Sequence, residues 1–294
     1  MTTNPLPIRR EETGPSEGVV TVTLESPGKP VVILNRELIR RLDATLDLIG
    51  ASARGFVLAS ASERVFVAGA DLTEIDSMSD RELDDYLALG QRVYGRIAHL
   101  HCPTVAAING AALGGGLEIA MHCDAMIACL PKGAKPYQIG LPESSLGLCP
   151  GWGGTNMLPA RMDPAEAIRV TALGKTFDVH HAREARLLDE LIDNPADLLA
   201  EARELAATLT KTGPEREPRN IHEPEWRETV REALGKVREE LPRSKPANAV
   251  ILAVQTGIDL GWEAALGAER HLLGYLRKTP ETKELLRGFF ARSK

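Results

Sequence analysis

Short apolar runs of strand length alternate with segments of helical periodicity over the first two thirds of the chain, and this alternation limits the fold more than any other feature. Four such runs occupy residues 19–24, 55–59, 104–108 and 125–129. Between them, apolar residues recur every three or four positions, as Leu38, Leu42 and Leu46 do. Strand spacing followed by helical spacing, repeated in this way, predicts an α/β protein.

The composition changes near residue 211, where a polar, proline-rich stretch leads into charged sequence with helical spacing. A chain of 294 residues can hold one large domain and a smaller addition. We therefore predict a flexible tail over residues 1–18, an α/β core over 19–210 and a C-terminal helical region over 211–294. Within that last region, residues 248–258, 263–278 and 281–290 are predicted to form three helices.

Charge and composition exclude several classes of function. The formal net charge of −6 argues against a surface that neutralises nucleic acid. The longest apolar stretch is interrupted by Asn109 and Glu118, so no membrane span is expected. The four cysteines show no CxxC spacing, and no basic segment followed by an apolar one opens the chain. We predict a cytoplasmic protein with reduced, buried cysteines.

Residues 106–124 combine three consecutive glycines, Gly114 to Gly116, with a carboxylate, Glu118, in an otherwise apolar run. Glycines at a strand-to-helix turn let a ligand approach the backbone, and the first helical turn offers unpaired N–H groups. An oxygen that becomes negative during a reaction would be stabilised there. The GxGxxG and P-loop spacings are absent, which disfavours a dinucleotide site. The alternative is that these glycines serve only helix–sheet packing.

Two further segments bear on this choice. Residues 68–70, Ala-Gly-Ala, follow a short apolar run and offer a second place where backbone N–H groups can face a ligand. Two such loops can form a two-donor oxyanion hole. Residues 139–155 carry Glu143 directly after Pro142; taken alone, this pair is typical of the first turn of a helix.

Taken together, three segments resemble the consecutive signature segments of the crotonase (enoyl-CoA hydratase/isomerase) superfamily, in the same order: AGAD at 68–71, NGAALGGGLEIAMHCD at 109–124 and GLPESSLGLCPGWGGT at 140–155. The resemblance covers residues 19–207 and implies a spiral core of repeated ββα units. Within the superfamily the chain resembles enoyl-CoA hydratases, because Glu118 and Glu143 fill both carboxylate positions of that activity. It also resembles the hydratase part of the multifunctional fatty-acid oxidation protein.

The resemblance further implies the parts of an active site for an acyl-CoA substrate. The N–H groups of Ala70 and Gly115 would hold the thioester oxygen, and Glu118 and Glu143 would flank one water, with Glu118 as base and Glu143 as acid. Because two such carboxylates titrate as a coupled pair, the reverse assignment stays open. Residues implied to contact coenzyme A are Lys29, Pro30, Val31, Ala68, Asp71 and Leu72. Residues implied to line the acyl pocket are Gly114, Gly151 and Trp152.

Two departures from the family pattern stand out. The linker over residues 125–142 is longer than is usual in the family, which bears on the placement of Glu143. Trp152 stands where smaller residues are common, so that its ring either shortens the acyl pocket or packs in the core.

Neither His99 and His101 nor residues 122–124 have the spacing of a metal site, so no metal is expected. Ser144 and Ser145 lack the GxSxG elbow of a serine hydrolase.

The leading hypothesis is therefore reversible hydration of a 2-enoyl-CoA. No separate cofactor is expected, since coenzyme A is part of the substrate. The alternatives are another crotonase-type reaction, either double-bond isomerisation or C–C bond cleavage, and a non-catalytic acyl-CoA-binding subunit. The resemblance also implies a homo-oligomer, a trimer or hexamer, with a self-packed monomer or dimer as the alternative.

Overall fold

The computed structural model describes residues 4–211 and 217–292. These form two compact units, each assembled from separate stretches of chain. The first unit contains residues up to Ala70, Arg92–Ile139, and the stretch from Phe177 to Lys211; the second contains Asp71–Gln91, Gly140–Thr176, and the residues from Glu217 onward. The predicted boundary at residue 211 adjoins residues 212–216, which lie outside the described residues, as do residues 1–3 of the predicted tail.

The strands are β1 (Ile8–Arg10), β2 (Val19–Leu24), β3 (Gly55–Ser60), β4 (Val65–Val67), β5 (Thr104–Ile108), β6 (Ala111–Leu113), β7 (Ala125–Cys129), β8 (Gln138–Gly140), β9 (Thr176–Asp178) and β10 (Glu190–Ile192). The helices are α1 (Arg36–Leu46), α2 (Leu72–Ser77), α3 (Asp80–Ala98), α4 (Gly115–Met121), α5 (Gly154–Arg161), α6 (Pro164–Leu173), α7 (Val179–Glu184), α8 (Leu198–Thr208), α9 (Arg219–His222), α10 (Pro224–Arg238), α11 (Lys245–Leu260), α12 (Trp262–Leu276) and α13 (Pro280–Arg292), and a 3₁₀ helix spans Glu143–Leu146.

A six-stranded sheet forms the centre of the first unit, in the order β1-β2-β3-β5-β7-β10. All of its neighbours pair in parallel except β1 and β2, which are antiparallel. Every residue of β5 and β7 is buried, which explains why these strands read as unbroken apolar runs rather than alternating ones. The apolar runs that predicted the strands are thus the interior of a parallel sheet.

Strand β1 lies within the stretch for which the sequence predicts a flexible tail. Its three residues are exposed, and the strand pairs with β2 in the register Ile8↔Val22. An edge strand of this kind is held by backbone hydrogen bonds, so its side chains need no buried pattern. For that reason the sequence carries no periodicity that would have indicated it.

The chain passes repeatedly from the six-stranded sheet to a four-stranded sheet, of order β4-β6-β8-β9, and then into a helix. Thus β3 leads to β4 and α2, and β5 leads to β6 and α4. These are the repeated ββα units that the resemblance implies. The predicted α/β fold class with a crotonase-like core and C-terminal helices is confirmed.

Helix α8 covers one face of the six-stranded sheet. Its Leu198, Ala202 and Ala206 pack in one buried cluster with side chains of β2, β3, β5 and β7. The approach is closest at Gly55, the first residue of β3, where a Cβ atom would lie 2.6 Å from the backbone oxygen of Ala206. The absence of a side chain at Gly55 lets the helix sit directly on the strand.

We expect Gly55→Ala to destabilise the protein by about 1–3 kcal/mol, because the new methyl group would meet backbone that no rotamer change can move. Chemical denaturation measures this as a lower midpoint. Gly50→Ala is the matched control, since the nearest atom to its Cβ would be 3.9 Å away. Equal midpoints for the two variants would contradict the proposed close approach.

The second unit is largely helical, and α11, α12 and α13 confirm the three predicted C-terminal helices. Glu269 of α12 is fully buried and accepts hydrogen bonds from the backbone N–H groups of Gly153, at 2.6 Å, and Thr155, at 3.0 Å. These groups belong to the start of α5, whose first N–H groups have no partner within their own helix. The buried carboxylate thus receives hydrogen bonds, and the N–H groups at the start of α5 gain an acceptor.

All four cysteines are free and buried, as the sequence predicts. Burial raises the pKa of Cys129, and the carboxylates of Asp193 and Asp197 raise it further.

Over residues 4–211 and 217–292, none of the helices combines the length and the apolar character that crossing a membrane would need.

Candidate active site

Two parallel strands of the first unit bring the predicted oxyanion loops side by side. Strands β4 and β6 pair in the register Val65↔Ala111 and Val67↔Ala112. Parallel strands end at the same edge of a sheet, so the segments that follow them leave the sheet together. Residues 68–70 follow β4 and residues 114–116 follow β6. The two glycine-containing segments singled out in the sequence are therefore neighbours.

Glycine is required at two points where these segments touch. A Cβ atom on Gly116 would lie 2.4 Å from the backbone oxygen of Val67, and one on Gly69 would lie 3.1 Å from that of Leu113. Gly69 also has a φ of +107°, and Gly114 a φ of +53°, values that L side chains rarely adopt. The packing role that is the alternative explanation for the glycines is thus present, since the two loops approach too closely for side chains at Gly69 and Gly116.

The peptide between Gly69 and Ala70 has a fixed orientation. The carbonyl of Gly69 accepts a hydrogen bond from the N–H of Leu34 at 2.9 Å. In a planar trans peptide the N–H points away from the carbonyl, so the N–H of Ala70 faces away from Leu34. The peptide between Gly114 and Gly115 is held in the same way.

The carbonyl of Gly114 accepts hydrogen bonds from the N–H groups of Leu117, at 2.8 Å, and Glu118, at 3.0 Å. The N–H of Gly115 therefore points out of the amino-terminal end of α4. Two backbone N–H groups from adjoining loops are in this way turned outward, because the carbonyl of the same peptide, from the preceding residue, accepts hydrogen bonds on the other side. Such preoriented donors can stabilise negative charge on a ligand oxygen.

Glu118 lies in α4, one turn beyond Gly114, and is only 1% exposed. Its backbone carbonyl contacts the Nδ1 atom of His122 at 2.9 Å. The His122 ring is itself buried and packs edge-on against Tyr94. A carboxylate held at this depth is shielded from bulk solvent.

Glu143 belongs to the second unit, where it begins the 3₁₀ helix Glu143–Leu146 and is half-buried. Its backbone carbonyl accepts a hydrogen bond from the N–H of Leu148 at 3.0 Å. Gly147 ends the turn with a φ of +80°. The meeting of Glu143 and Glu118 about one water stays a prediction.

Three of the six residues expected to contact coenzyme A, namely Lys29, Pro30 and Val31, line a cavity of about 720 Å³ in the first unit. Arg64 and Val65 also line this cavity, as do the carboxylate residues Glu25 and Glu63. The segment that follows Val31 reaches the oxyanion loop, because the N–H of Ala68 donates to the carbonyl of Val32 at 2.9 Å. Ala68 itself is exposed.

Arg64 also lines this cavity, although no pattern in the sequence predicts it. It adds a second cation to the cavity that holds Lys29. The only signal in the sequence is a basic residue just before the apolar run of β4, and such residues are common on surfaces. Its relation to Lys29 follows from the pairing of distant segments and not from local pattern.

Asp71 and Leu72 belong to the second unit and start α2. The Asp71 carboxylate accepts hydrogen bonds from the N–H groups of Thr73, at 3.1 Å, and Glu74, at 3.2 Å, and so caps the helix. The Asp71 side chain therefore stabilises the start of α2.

Trp152 is packed in the interior of the second unit. It is 2% exposed, its Nε1 donates to the carbonyl of Leu87 at 3.2 Å, and its ring meets Tyr86 edge to face. A Cβ atom on Gly90 would lie 2.2 Å from the same Nε1 atom. The neighbouring Gly151 carbonyl accepts a hydrogen bond from Gln91 at 2.8 Å. These contacts favour the core-packing alternative for Trp152.

Among residues 4–211 and 217–292, no three histidine, cysteine or acidic side chains come together as a metal site would require. The histidines set aside in the sequence make backbone contacts instead. His99 contacts the carbonyl of Gly95, and His101 contacts that of Ala53.

Comparison with known proteins identifies the family. The model of the enoyl-CoA hydratase/isomerase family matches residues 14–223. The fatty acid oxidation complex subunit alpha of Idiomarina loihiensis is 32% identical over 292 residues, covering 94% of this chain and 40% of that protein. The YngF protein of Bacillus subtilis, named as a candidate enoyl-CoA hydratase/isomerase, is 34% identical over 201 residues, covering 68% of this chain and 75% of that one.

The crystal structure of an enoyl-CoA hydratase from Bacillus anthracis is similar with a TM-score of 0.60 and 26% identity, covering 94% of this chain and 93% of that one. The chain belongs to the enoyl-CoA hydratase/isomerase family, the crotonase superfamily. It spans about two fifths of the length of the Idiomarina relative.

Proposed function

We propose that this protein is an enoyl-CoA hydratase, which adds water reversibly across the 2,3-double bond of an acyl-CoA thioester. The observation that carries the proposal is the pair of outward amides, at Ala70 and Gly115, with the buried Glu118 on the helix that starts from the second of them. The family supports acyl-CoA chemistry. The presence of Glu143 as a second carboxylate favours hydration within that family.

Hydration places negative charge on the thioester oxygen in an enolate-like transition state. The amides of Ala70 and Gly115 would bind this oxygen, and each donor of an oxyanion hole contributes about 3 kcal/mol to transition-state stabilisation. Glu118, as base, takes a proton from water while the water oxygen bonds to C3. Glu143, as acid, delivers a proton to C2. The product is a 3-hydroxyacyl-CoA, and the reverse reaction exchanges the two roles.

Coenzyme A enters as part of the substrate, so the proposal needs no separate cofactor and no metal. Its nucleotide would lie in the cavity lined by Lys29, Pro30, Val31 and Arg64, whose backbone leads to Ala68 and the oxyanion loop. The cytoplasmic location and the homo-oligomeric assembly stay predictions.

The test is to incubate the purified protein with crotonyl-CoA and follow the loss of enoyl absorbance. We expect the product mass to rise by that of one water, and 3-hydroxybutyryl-CoA to give the reverse reaction. A 3-enoyl-CoA should be supplied in parallel, since conversion to the 2-enoyl isomer without gain of water would identify an isomerase. Binding of CoA thioesters with no hydration of any 2-enoyl-CoA would refute the proposal.

Removal of Lys29 or Arg64, the two basic residues of the cavity proposed for the nucleotide, should weaken substrate binding without changing the rate of the chemical step. We expect Lys29→Ala and Arg64→Ala each to raise KM for crotonyl-CoA by about 1.5- to fivefold, the range of an exposed ion pair, while kcat is unchanged. Steady-state kinetics measures both parameters.

Crotonyl-pantetheine, which lacks the nucleotide, provides the control substrate, since both variants should turn it over as the wild type does. Lys132→Ala removes an exposed lysine outside the cavity and should leave both parameters unchanged. An equal rise in KM for crotonyl-pantetheine would show that the cations act elsewhere than on the nucleotide.

A further inference from the structure

The segment that carries Glu143 cannot fix its own conformation. We call residues 143–147 the Glu143 turn: it consists of the 3₁₀ helix Glu143–Leu146 and of Gly147, whose φ is +80°. A single 3₁₀ turn has poor hydrogen-bond geometry and is too short to be stable alone. Other parts of the second unit must therefore hold the turn, and with it the carboxylate of Glu143.

Helix α13, near the far end of the chain, supplies one such contact. The Thr282 hydroxyl donates to the carbonyl of Gly147 at 2.8 Å, and Thr282 is 1% exposed. A Cβ atom on Gly147 would lie 2.5 Å from the Thr282 Oγ1 atom and 2.9 Å from its Cα. The first turn of α13 thus rests directly on the end of the Glu143 turn.

Thr282 is in turn held by its own helix terminus. The side chain of Thr279, just before α13, accepts a hydrogen bond from the Thr282 N–H at 3.3 Å and contacts its hydroxyl at 2.9 Å. The preceding corner is anchored by the buried Arg277, which donates to the carbonyl of Ile75 at 2.9 Å and to Asp80 at 2.7 Å. The hydroxyl that reaches Gly147 therefore has a defined position.

The contact is transmitted to Glu143 through the backbone. The Gly147 peptide continues to Leu148, whose N–H donates to the carbonyl of Glu143 at 3.0 Å. The end of α6 also packs on the turn, where a Cβ atom on Gly174 would lie 2.2 Å from the nitrogen of Ser145. The turn is thus contacted by two helices, and the Thr282 hydroxyl is the hydrogen-bond donor from α13 to the Gly147 carbonyl.

We propose that Thr282 is a positioning residue for the Glu143 carboxylate, so that the C-terminal helix α13 sets the geometry of the second acid–base group. The inference rests on the proposed hydratase function. Loss of the hydroxyl leaves the buried Gly147 carbonyl without this donor and lets the turn shift. A displacement of this kind, away from the reacting atoms, lowers the rate of the chemical step rather than the affinity for substrate.

The experiment compares Thr282→Val, which removes the hydroxyl with little change of shape, with Thr282→Ser, which keeps it. We expect Thr282→Val to lower kcat for crotonyl-CoA by about ten- to a hundredfold with KM within about twofold of the wild type. Thr282→Ser should keep kcat within about twofold. Thr256→Val is the matched control, because this half-buried threonine donates its hydroxyl to a carbonyl of its own helix, that of Leu252.

A double-mutant cycle separates positioning from general stability. If Thr282 acts through Glu143, adding Thr282→Val to Glu143→Gln should lower kcat further by less than about twofold. A further loss as large as in the wild-type background would overturn the proposal, as would a Thr282→Val enzyme as active as Thr256→Val.

Should Thr282→Val fail to fold, Thr279→Val decides instead. It removes the hydroxyl that contacts Thr282, and we expect it to lower kcat by about three- to tenfold; an unchanged kcat would overturn the proposal. An inactive wild-type protein would refute the hydratase function and this role together, whereas an active wild type with unaffected threonine variants refutes the positioning role alone.

Discussion

Glu118→Gln is expected to lower kcat for hydration by about 10²- to 10⁴-fold, the contribution of a general acid or base. The substitution keeps the shape of the side chain and removes its ability to take a proton from water. Glu143→Gln should have an effect of the same order, because each group serves one of the two proton transfers. KM should stay within about threefold of the wild type, since both groups act mainly in the transition state.

The matched control is Glu184→Gln, which neutralises an exposed carboxylate of α7. It should leave kcat and KM unchanged, and all three variants should unfold at similar denaturant concentrations. Rates like those of the wild type in Glu118→Gln or Glu143→Gln would remove that residue from the proposed mechanism. A pH profile of kcat for each single variant then assigns acid and base, because each loses the limb of the missing group.

Gly116→Ala is expected to lower kcat/KM by about 10²- to 10³-fold, comparable to the loss of one oxyanion donor. Its new Cβ atom would lie 2.4 Å from the backbone oxygen of Val67 and 2.9 Å from the Val67 Cβ. Because the nearest atom is backbone, α4 must move relative to β4. That movement displaces the N–H of Gly115 and the carboxylate of Glu118 together.

Gly95→Ala is the control for a change of glycine to alanine in the same unit. A Cβ atom on Gly95 would meet nothing within 4 Å, and the residue lies inside α3. This variant should keep full activity and gain about 0.5–1 kcal/mol of stability, because alanine favours the helix. If Gly116→Ala were as active as Gly95→Ala, the close packing of the two loops would have no part in catalysis.

Part of the candidate site can be predicted from the sequence. The part that cannot be predicted depends on contacts between distant segments. Glycines before a helix and a carboxylate within its first turns form a local pattern, so residues 114–118 were singled out from the chain alone. Arg64 was missed, because a basic residue before a strand carries no local sign of the cavity it will line. Thr282 was missed for the same reason, since its partner Gly147 belongs to a distant segment.

The fold also has features that the sequence pattern predicts and features that it does not. Strands β5 and β7 were recognised because complete burial makes them continuous apolar runs. Strand β1 was not, because it is exposed and held by backbone bonds alone. For Trp152 the sequence offered a pocket role and a packing role, and its contacts with Leu87 and Tyr86 favour packing.

By itself, the sequence determined the α/β class, the positions of the main strands and helices, and the glycine and glutamate residues from which a site could be built. These follow from periodicity and from backbone freedom, which act between residues close along the chain. Only the tertiary structure decided that β4 and β6 lie side by side and that Val67 meets Gly116. Those contacts join distant segments and depend on which strands pair, and it is this pairing that brings the two separate loops next to each other.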